Sequence, residues 1–273
     1  MPLMKWFAAV GIAAAAVLVS AAAAGARPVV TSATATSTVV MPRGQPVQIA
    51  FTADTTHLPL IADVSASAED AIRMAIEQHP TIRGFWVQLN HVETDCFGDN
   101  TASATAIVSN TQNTAVLGNI CSVGMVSALP IYQAAGVVTI SGSATASVLP
   151  SLGPTVFNRT AVVSDAAGDA GDIWASQVAA LPSVLEWEQE FAAEFGMAPF
   201  LEPYPALYFD AASLLLNRLQ QVSRVVNGNL VIDRAALARA VRNTTKFQGI
   251  SCTITLDPLT GNRVDNLAGC AQN

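Results

Sequence analysis

Apolar residues follow two alternating rhythms along the chain. Residues 47–52 (VQIAFT) form a short apolar run of the kind that makes a buried strand. Over residues 66–78 the positions Ala68, Ala71, Ile72, Ala75 and Ile76 recur at helical spacing, and Ser67-Ala-Glu-Asp supplies a start signal. His79-Pro80 stops that helix, because proline offers no amide donor and restricts the residue before it. Residues 85–91 (FWVQLNH) alternate as a strand does. A helix over 100–110, a short buried strand over 115–118 (AVLG), a helix over 124–135 and a fourth strand over 137–140 (VVTI) follow. Strands and helices alternating at intervals of ~30 residues predict an α/β fold, a lobe with a doubly wound parallel sheet. A reduced, mostly helical second part comes after it. Residues 169–180, 183–195, 208–224 and 233–244 read as helices, 225–230 (VVNGNL) as the loop between the last two, and 249–263 as a β-hairpin.

In such sheets a ligand sits beyond the carboxyl ends of the strands. After the third strand comes Asn119-Ile-Cys-Ser122, opening a helix; after the fourth comes Ser141-Gly-Ser-Ala-Thr-Ala146. Both loops bring small hydroxyl residues and backbone N–H groups to one crevice, and a helix N-terminus with free N–H groups attracts an anion such as a carboxylate. The simpler reading of Ser122 and Ser143 is that they cap helices.

Composition narrows the classes. The chain has 273 residues, a net charge of −7 and 51% hydrophobic residues, which excludes wholesale disorder. Its acidity (pI about 4.8) argues against a nucleic-acid partner. Residues 1–26 read as a secretory signal, with Lys5 ahead of an apolar stretch and small residues at the cleavage region; a retained membrane anchor is the competing reading. Residues 27–45, rich in Thr, Ser and Ala, read as a flexible linker, and the folded part is expected from residue 46. Cys96, Cys121, Cys252 and Cys270 all lie beyond the signal. In an exported chain they favour disulfides, and pairing sequence neighbours gives 96–121 and 252–270 among three connectivities. None stands two to four residues from another Cys or a His, so no metal site is expected.

Catalytic signatures are missing. The sequence has no G-x-S-x-G elbow, no phosphate-binding G-x-x-x-x-G-K-[ST] and no HExxH. His57, His79 and His91 are scattered. Glu186, Glu188, Glu190 and Glu194 fall at helical spacing and read as a solvated face, and Phe191, Phe195, Tyr204 and Tyr208 as packing. Neither enzyme activity nor a cofactor is expected.

The order of signals resembles the type I periplasmic binding proteins, in particular the branched-chain amino-acid (leucine/isoleucine/valine) binding proteins. The resemblance rests on VQIAFT, Glu93-Thr-Asp-Cys96, Leu117-Gly-Asn-Ile-Cys-Ser122, Gly136-Val-Val-Thr-Ile-Ser-Gly-Ser-Ala-Thr145 and Phe157-Asn-Arg-Thr-Ala-Val-Val-Ser-Asp165. Tyr208-Phe-Asp-Ala211, Phe247-Gln-Gly-Ile250 and Thr255-Leu-Asp-Pro-Leu-Thr-Gly261 continue it in order, over residues 46–263. It implies a Cys96–Cys121 disulfide, a ligand carboxylate held by Ser122 and by Ser143, Ala144 and Thr145, and Asp165 near the ligand ammonium. Asp165 reads equally as a solvated turn carboxylate.

The resemblance implies an extracytoplasmic solute-binding protein of an ABC importer, capturing a branched-chain or other small amino acid, or a similar carboxylate, for permease subunits. The chain also departs from the family. Residues 46–164 supply an N-terminal ligand-binding lobe and 165–273 a truncated second lobe. Only 165–203 stand where the family builds a second parallel sheet, and they read as helix almost throughout. About 228 residues cannot hold two lobes of ~100–150 residues each. The alternative is accordingly a truncated, non-transporting relative serving as sensor or scaffold, or a degenerate remnant.

Overall fold

The computed structural model describes residues 38–166, 168–264 and 267; residues 1–26, read as a signal, and Cys270 lie outside them. Its centre is a six-stranded sheet. From one edge the strands are β3 (Thr81–Ile82), β4 (Phe85–Glu93), β2 (Val47–Ala53), β5 (Asn113–Gly118), β6 (Val138–Ser141) and β7 (Phe157–Arg159). All neighbours pair in parallel except β3, which runs antiparallel to β4. Every residue of β5 and β6 is buried, as expected of strands covered on both faces.

Helices α1 (Pro59–Gln78), α2 (Thr101–Ser109) and α3 (Ser122–Ala135) connect the strands. α1 starts seven residues ahead of the expected 66, because Pro59 fits the first helical turn, where no amide donor is required. Gly136 ends α3 in the left-handed region (φ 64°). A four-residue helix, α4 (Leu149–Leu152), precedes β7.

Residues after 164 build no second parallel sheet among those described. α5 (Ala170–Ala179), α6 (Pro182–Phe195), α7 (Tyr204–Val222) and α8 (Arg234–Arg242) pack into one continuous apolar core with β2, β5 and β6. α7 is buried nearly all round, Leu207, Tyr208, Leu214, Leu215 and Leu219 among its enclosed side chains, so it is a core helix rather than a surface one. Phe191 and Tyr208 are fully buried, as packing residues should be, while Glu186, Glu190 and Glu194 are exposed.

Two expectations are corrected. The linker read over 27–45 contains a strand: β1 (Thr38–Met41) buries Val39 and Met41 and pairs antiparallel with β9 (Asn229–Asp233). The loop read over 225–230 is a hairpin of β9 with β8 (Arg224–Val226), turned by Asn227 and Gly228 at φ 51° and 80°. Asn-Gly between apolar pairs is the pattern for a two-residue hairpin turn, and β1 then gives the hairpin a third strand. β10 (Phe247–Gly249) and β11 (Cys252–Ile254) form the closing hairpin, and a bridge joins Leu256 to Arg263.

Buried charges staple these late segments to the sheet. Arg242 donates to the carbonyls of Phe157, Pro154 and Leu259, and Arg263 to those of Thr160 and Ser251. Burial lowers the pKa of Arg242. Asp210 accepts from the Ile250 and Ser251 N–H groups and from the Ser251 hydroxyl, holding the β10–β11 turn; burial raises its pKa, against those bonds and the nearby Arg263. Tyr208-Phe-Asp-Ala211, a late segment of the sequence resemblance, thus has a packing role in this chain.

A candidate ligand site at the carboxyl ends of the strands

The strand ends bring the loops after β5 and β6 together. Ser122 begins α3, whose first helical bond runs from Met125 N–H to the Cys121 carbonyl, so the N–H groups of Ser122, Val123 and Gly124 have no acceptor within the helix. A disulfide joins Cys96 to Cys121 with Cα atoms 5.1 Å apart, tying the exit of β4 to the start of α3. Cys252 is also disulfide-bonded. A Cβ at Gly124 would lie 2.6 Å from the Asp95 carbonyl, so only glycine lets the helix start this close to the β4 loop.

The five residues expected at the site lie in one linked set of loops but do different things. The Ser122 hydroxyl accepts the Ala146 N–H at 3.1 Å, and the Ser143 hydroxyl donates to the Ile120 carbonyl at 2.7 Å. Ala144 is fully buried, with its N–H donated to the Ser141 hydroxyl. Thr145 is half-buried and its hydroxyl has no hydrogen-bond partner among the described residues. Asp165 is exposed and accepts the Ser147 N–H at 2.8 Å. Asp165 is thus exposed and Ser122, Ser143 and Thr145 half-buried, the Ser143 hydroxyl being held within the loops, whereas Ala144 is enclosed.

Two residues that sequence reasoning left out hold this loop cluster. The Tyr208 hydroxyl, fully enclosed, donates to the Asn119 carbonyl at 3.1 Å and stands 3.2 and 3.1 Å from the hydroxyls of Ser141 and Ser143. Burial pushes its pKa up to about 12, so it remains a donor. Arg159, also fully buried, donates to the carbonyls of Ala144 and Ala146 at 3.1 and 3.0 Å and to the Asn262 side chain. Burial lowers its pKa to about 10, against the raising effect of Asp165, and it stays charged at neutral pH. Both stand in segments that carry the sequence resemblance, but the sequence reads Tyr208 as packing and gives Arg159 no role of its own. Where Thr145 faces Tyr204, Trp174 and Asp172, the remaining cavity is only about 10 Å³.

The other half of the strand-end surface is acidic. Asp54, fully buried after β2, accepts N–H bonds from Thr56, His57 and Cys96 and pairs with His57 Nδ1 at 2.9 Å. Burial raises its pKa, but the bonds from Cys96 and His57 outweigh that and hold it below the ordinary carboxylate range. His57 in turn is raised, chiefly by its hydrogen bond to Asp54 and further by the Asp54, Asp95 and Glu93 charges. Its Nε2 lies 3.6 Å from Asp95. Glu93 accepts from the Thr55 N–H and from the hydroxyls of Thr55 and Thr56. Asp54, His57 and Glu93 offer ligand atoms within 4.8 Å of one another, a grouping that could hold a cation, although these hydrogen bonds already occupy the carboxylate oxygens.

No protein-family model and no curated protein matches the sequence. Solved structures do match the fold. The leucine-binding protein LivK of Thermotoga maritima aligns over 80% of this chain and 93% of its own, with a TM-score of 0.63 at 15% identity. LivJ of Streptococcus pneumoniae, in complex with isoleucine, aligns over 81% and 94% with a TM-score of 0.60 at 15% identity. A solute-binding protein of an ABC transporter from Rhodopseudomonas palustris, in complex with 3,4-dihydroxybenzoic acid, aligns over 81% and 91% with a TM-score of 0.66 at 14% identity. The fold is that of the type I periplasmic binding proteins. These neighbours are a leucine-binding protein, a branched-chain amino acid transporter substrate-binding protein and a solute-binding protein of an ABC transporter. Among the described residues, no helix is long and apolar enough to cross a membrane.

Proposed function

We propose that this chain is an extracytoplasmic solute-binding protein of an ABC importer, taking a small amino acid or a similar carboxylate at the strand ends for delivery to permease subunits. The observation that carries the reading is the junction of Ser122 and Thr145. There the uncapped N-terminus of α3 and an uncommitted hydroxyl lie on adjoining, hydrogen-bonded loops. Such a junction suits a carboxylate, since the helix end supplies N–H donors and a partial positive charge. Asp165, one loop away, is the acceptor assigned to a ligand ammonium. The amino-acid and benzoate-type ligands named for structures of the same fold support the class of solute.

A second reading is favoured by the small cavity beside Thr145 and by the lack of a second parallel sheet among the described residues. Tight sites bury ~70–90% of a small ligand. A one-lobed surface leaves it exposed, and the chain then serves as a sensor or scaffold.

The test is thermal shift of residues 27–273, oxidised, against amino acids and small aromatic carboxylates. A ligand at a thousand times its Kd stabilises by about 4 kcal/mol, roughly 8–16 °C for a domain of modest size. Such a shift, lost in Ser122→Ala, supports capture. A flat panel on folded protein rejects it in favour of the second reading.

A further inference from the structure

The opposite end of the sheet carries chemistry that the strand-end site does not use. Three turns meet there: the one leading from β1 into β2, the one between β3 and β4, and the Asn227-Gly228 turn of the β8–β9 hairpin. They surround an open pocket of about 460 Å³ whose lining includes Arg43, Arg83, Phe85, Trp86 and Val225 and no carboxylate. Trp86 is 67% exposed, and Val225 beside it 51%. Neither Arg43 nor Arg83 has an ion pair among the described residues, and both are exposed. That sets them apart from Arg159, Arg234, Arg242 and Arg263, which are buried and spent on backbone carbonyls. In a chain of net charge −7, a pocket with two free guanidiniums beside a bare indole runs against the prevailing surface.

The backbone there is also set for the purpose. Arg83 sits in the left-handed region at φ 53°, a conformation that costs a non-glycine residue energy, and its N–H is held by Gln220 Oε1 at 3.0 Å. Gly44, Gly84 and Gly228 have positive φ, and a Cβ on any of them would meet nothing within 4 Å, so the turns leave the space open.

We propose that this pocket is a second binding site, for a soluble phosphate ester with a planar body. The forked donors of Arg43 and Arg83 match the oxygens of a phosphate, and two cations from separate turns balance a dianion. Trp86 supplies the face on which an aromatic ring stacks. The site is independent of solute capture at the strand ends.

Phenyl phosphate titrated into residues 27–273 at low salt tests it by tryptophan fluorescence. Trp174 and Trp187 are only 9% and 3% exposed, so a contact-quenched signal reports Trp86. The expected result is saturable quenching with a Kd of roughly 0.1–1 mM that weakens with salt. It should weaken at least tenfold in an Arg43→Ala, Arg83→Ala double variant of unchanged melting temperature, with inorganic phosphate binding more weakly than phenyl phosphate. Any of four results overturns the proposal: no saturation below about 10 mM, a response that survives in the double variant, equal affinity for benzoate, or equal affinity for inorganic phosphate. Association with phosphatidylglycerol vesicles without a phenyl phosphate response also overturns it, in favour of a lipid surface.

Discussion

Tyr208 and Glu202 show what single side chains do in this molecule. The Tyr208 hydroxyl joins α7 to the loops after β5 and β6 through Asn119, Ser141 and Ser143. Tyr208→Phe would leave the buried Asn119 carbonyl with only the Ser141 hydroxyl, at a cost of about 1–3 kcal/mol. Denaturant unfolding should register the loss as a lower midpoint with the slope unchanged. Glu202, just ahead of α7, has both carboxylate oxygens buried. Burial, with Glu188 adding to it, pushes its pKa up to about 8. The unfolded chain has the ordinary value near 4.5, so the group favours the native state fully below that pH and progressively less up to about 8. The melting temperature should therefore fall between pH 5 and 8. Glu202→Gln should flatten that slope; an unchanged slope would assign the pH dependence elsewhere.

At the scale of elements, close approach rather than propensity decides where helices sit. A Cβ at Gly142 would stand 2.7 Å from the Tyr208 ring and 2.9 Å from the Tyr208 nitrogen, so the β6 loop and α7 meet backbone to backbone. Gly142→Ala is expected to cost about 1–3 kcal/mol by overpacking, measured as a drop in thermal midpoint. Of the first-lobe helices α1, α2 and α3 were legible, α1 from its helical apolar spacing and its stop at His79-Pro80, whereas the four-residue α4 was not. The strands β1, β8 and β9 were not. Their residues read as linker and loop because a four-residue strand carries too little pattern, and its apolar positions gain meaning only from the partner they pair with.

For the whole molecule, the Cys96–Cys121 bridge closes a 25-residue loop across the exits of β4 and β5. Chain entropy assigns such a bridge about 3.5 kcal/mol. A Cys96→Ser, Cys121→Ser double variant, which leaves Cys252 bridged, should have a correspondingly lower melting temperature, and the start of α3 should loosen first, detectable as faster amide exchange at residues 122–125. Exchange that is unchanged there would confine the bridge to global stability.

The candidate site was legible in part for the same reason the fold was. Loops after the third and fourth strands follow from strand order alone, so Ser122 and Thr145 could be placed near one another from sequence. Their orientation could not. The Ser143 hydroxyl and the Ala144 carbonyl are engaged because Tyr208 and Arg159, 65 and 15 residues further along the chain, draw on one and the other.

By itself, the order of apolar runs and helical stretches determined the alternating α/β class and the location of the ligand loops. Those depend on periodicity and on chain connectivity, which are local. Tertiary structure alone decided that the helices after residue 164 share the core of the first lobe, that four of the described arginines are buried, and which hydroxyls stay free. Each of those outcomes depends on which distant surfaces meet, and on whether a buried polar group finds its partner there.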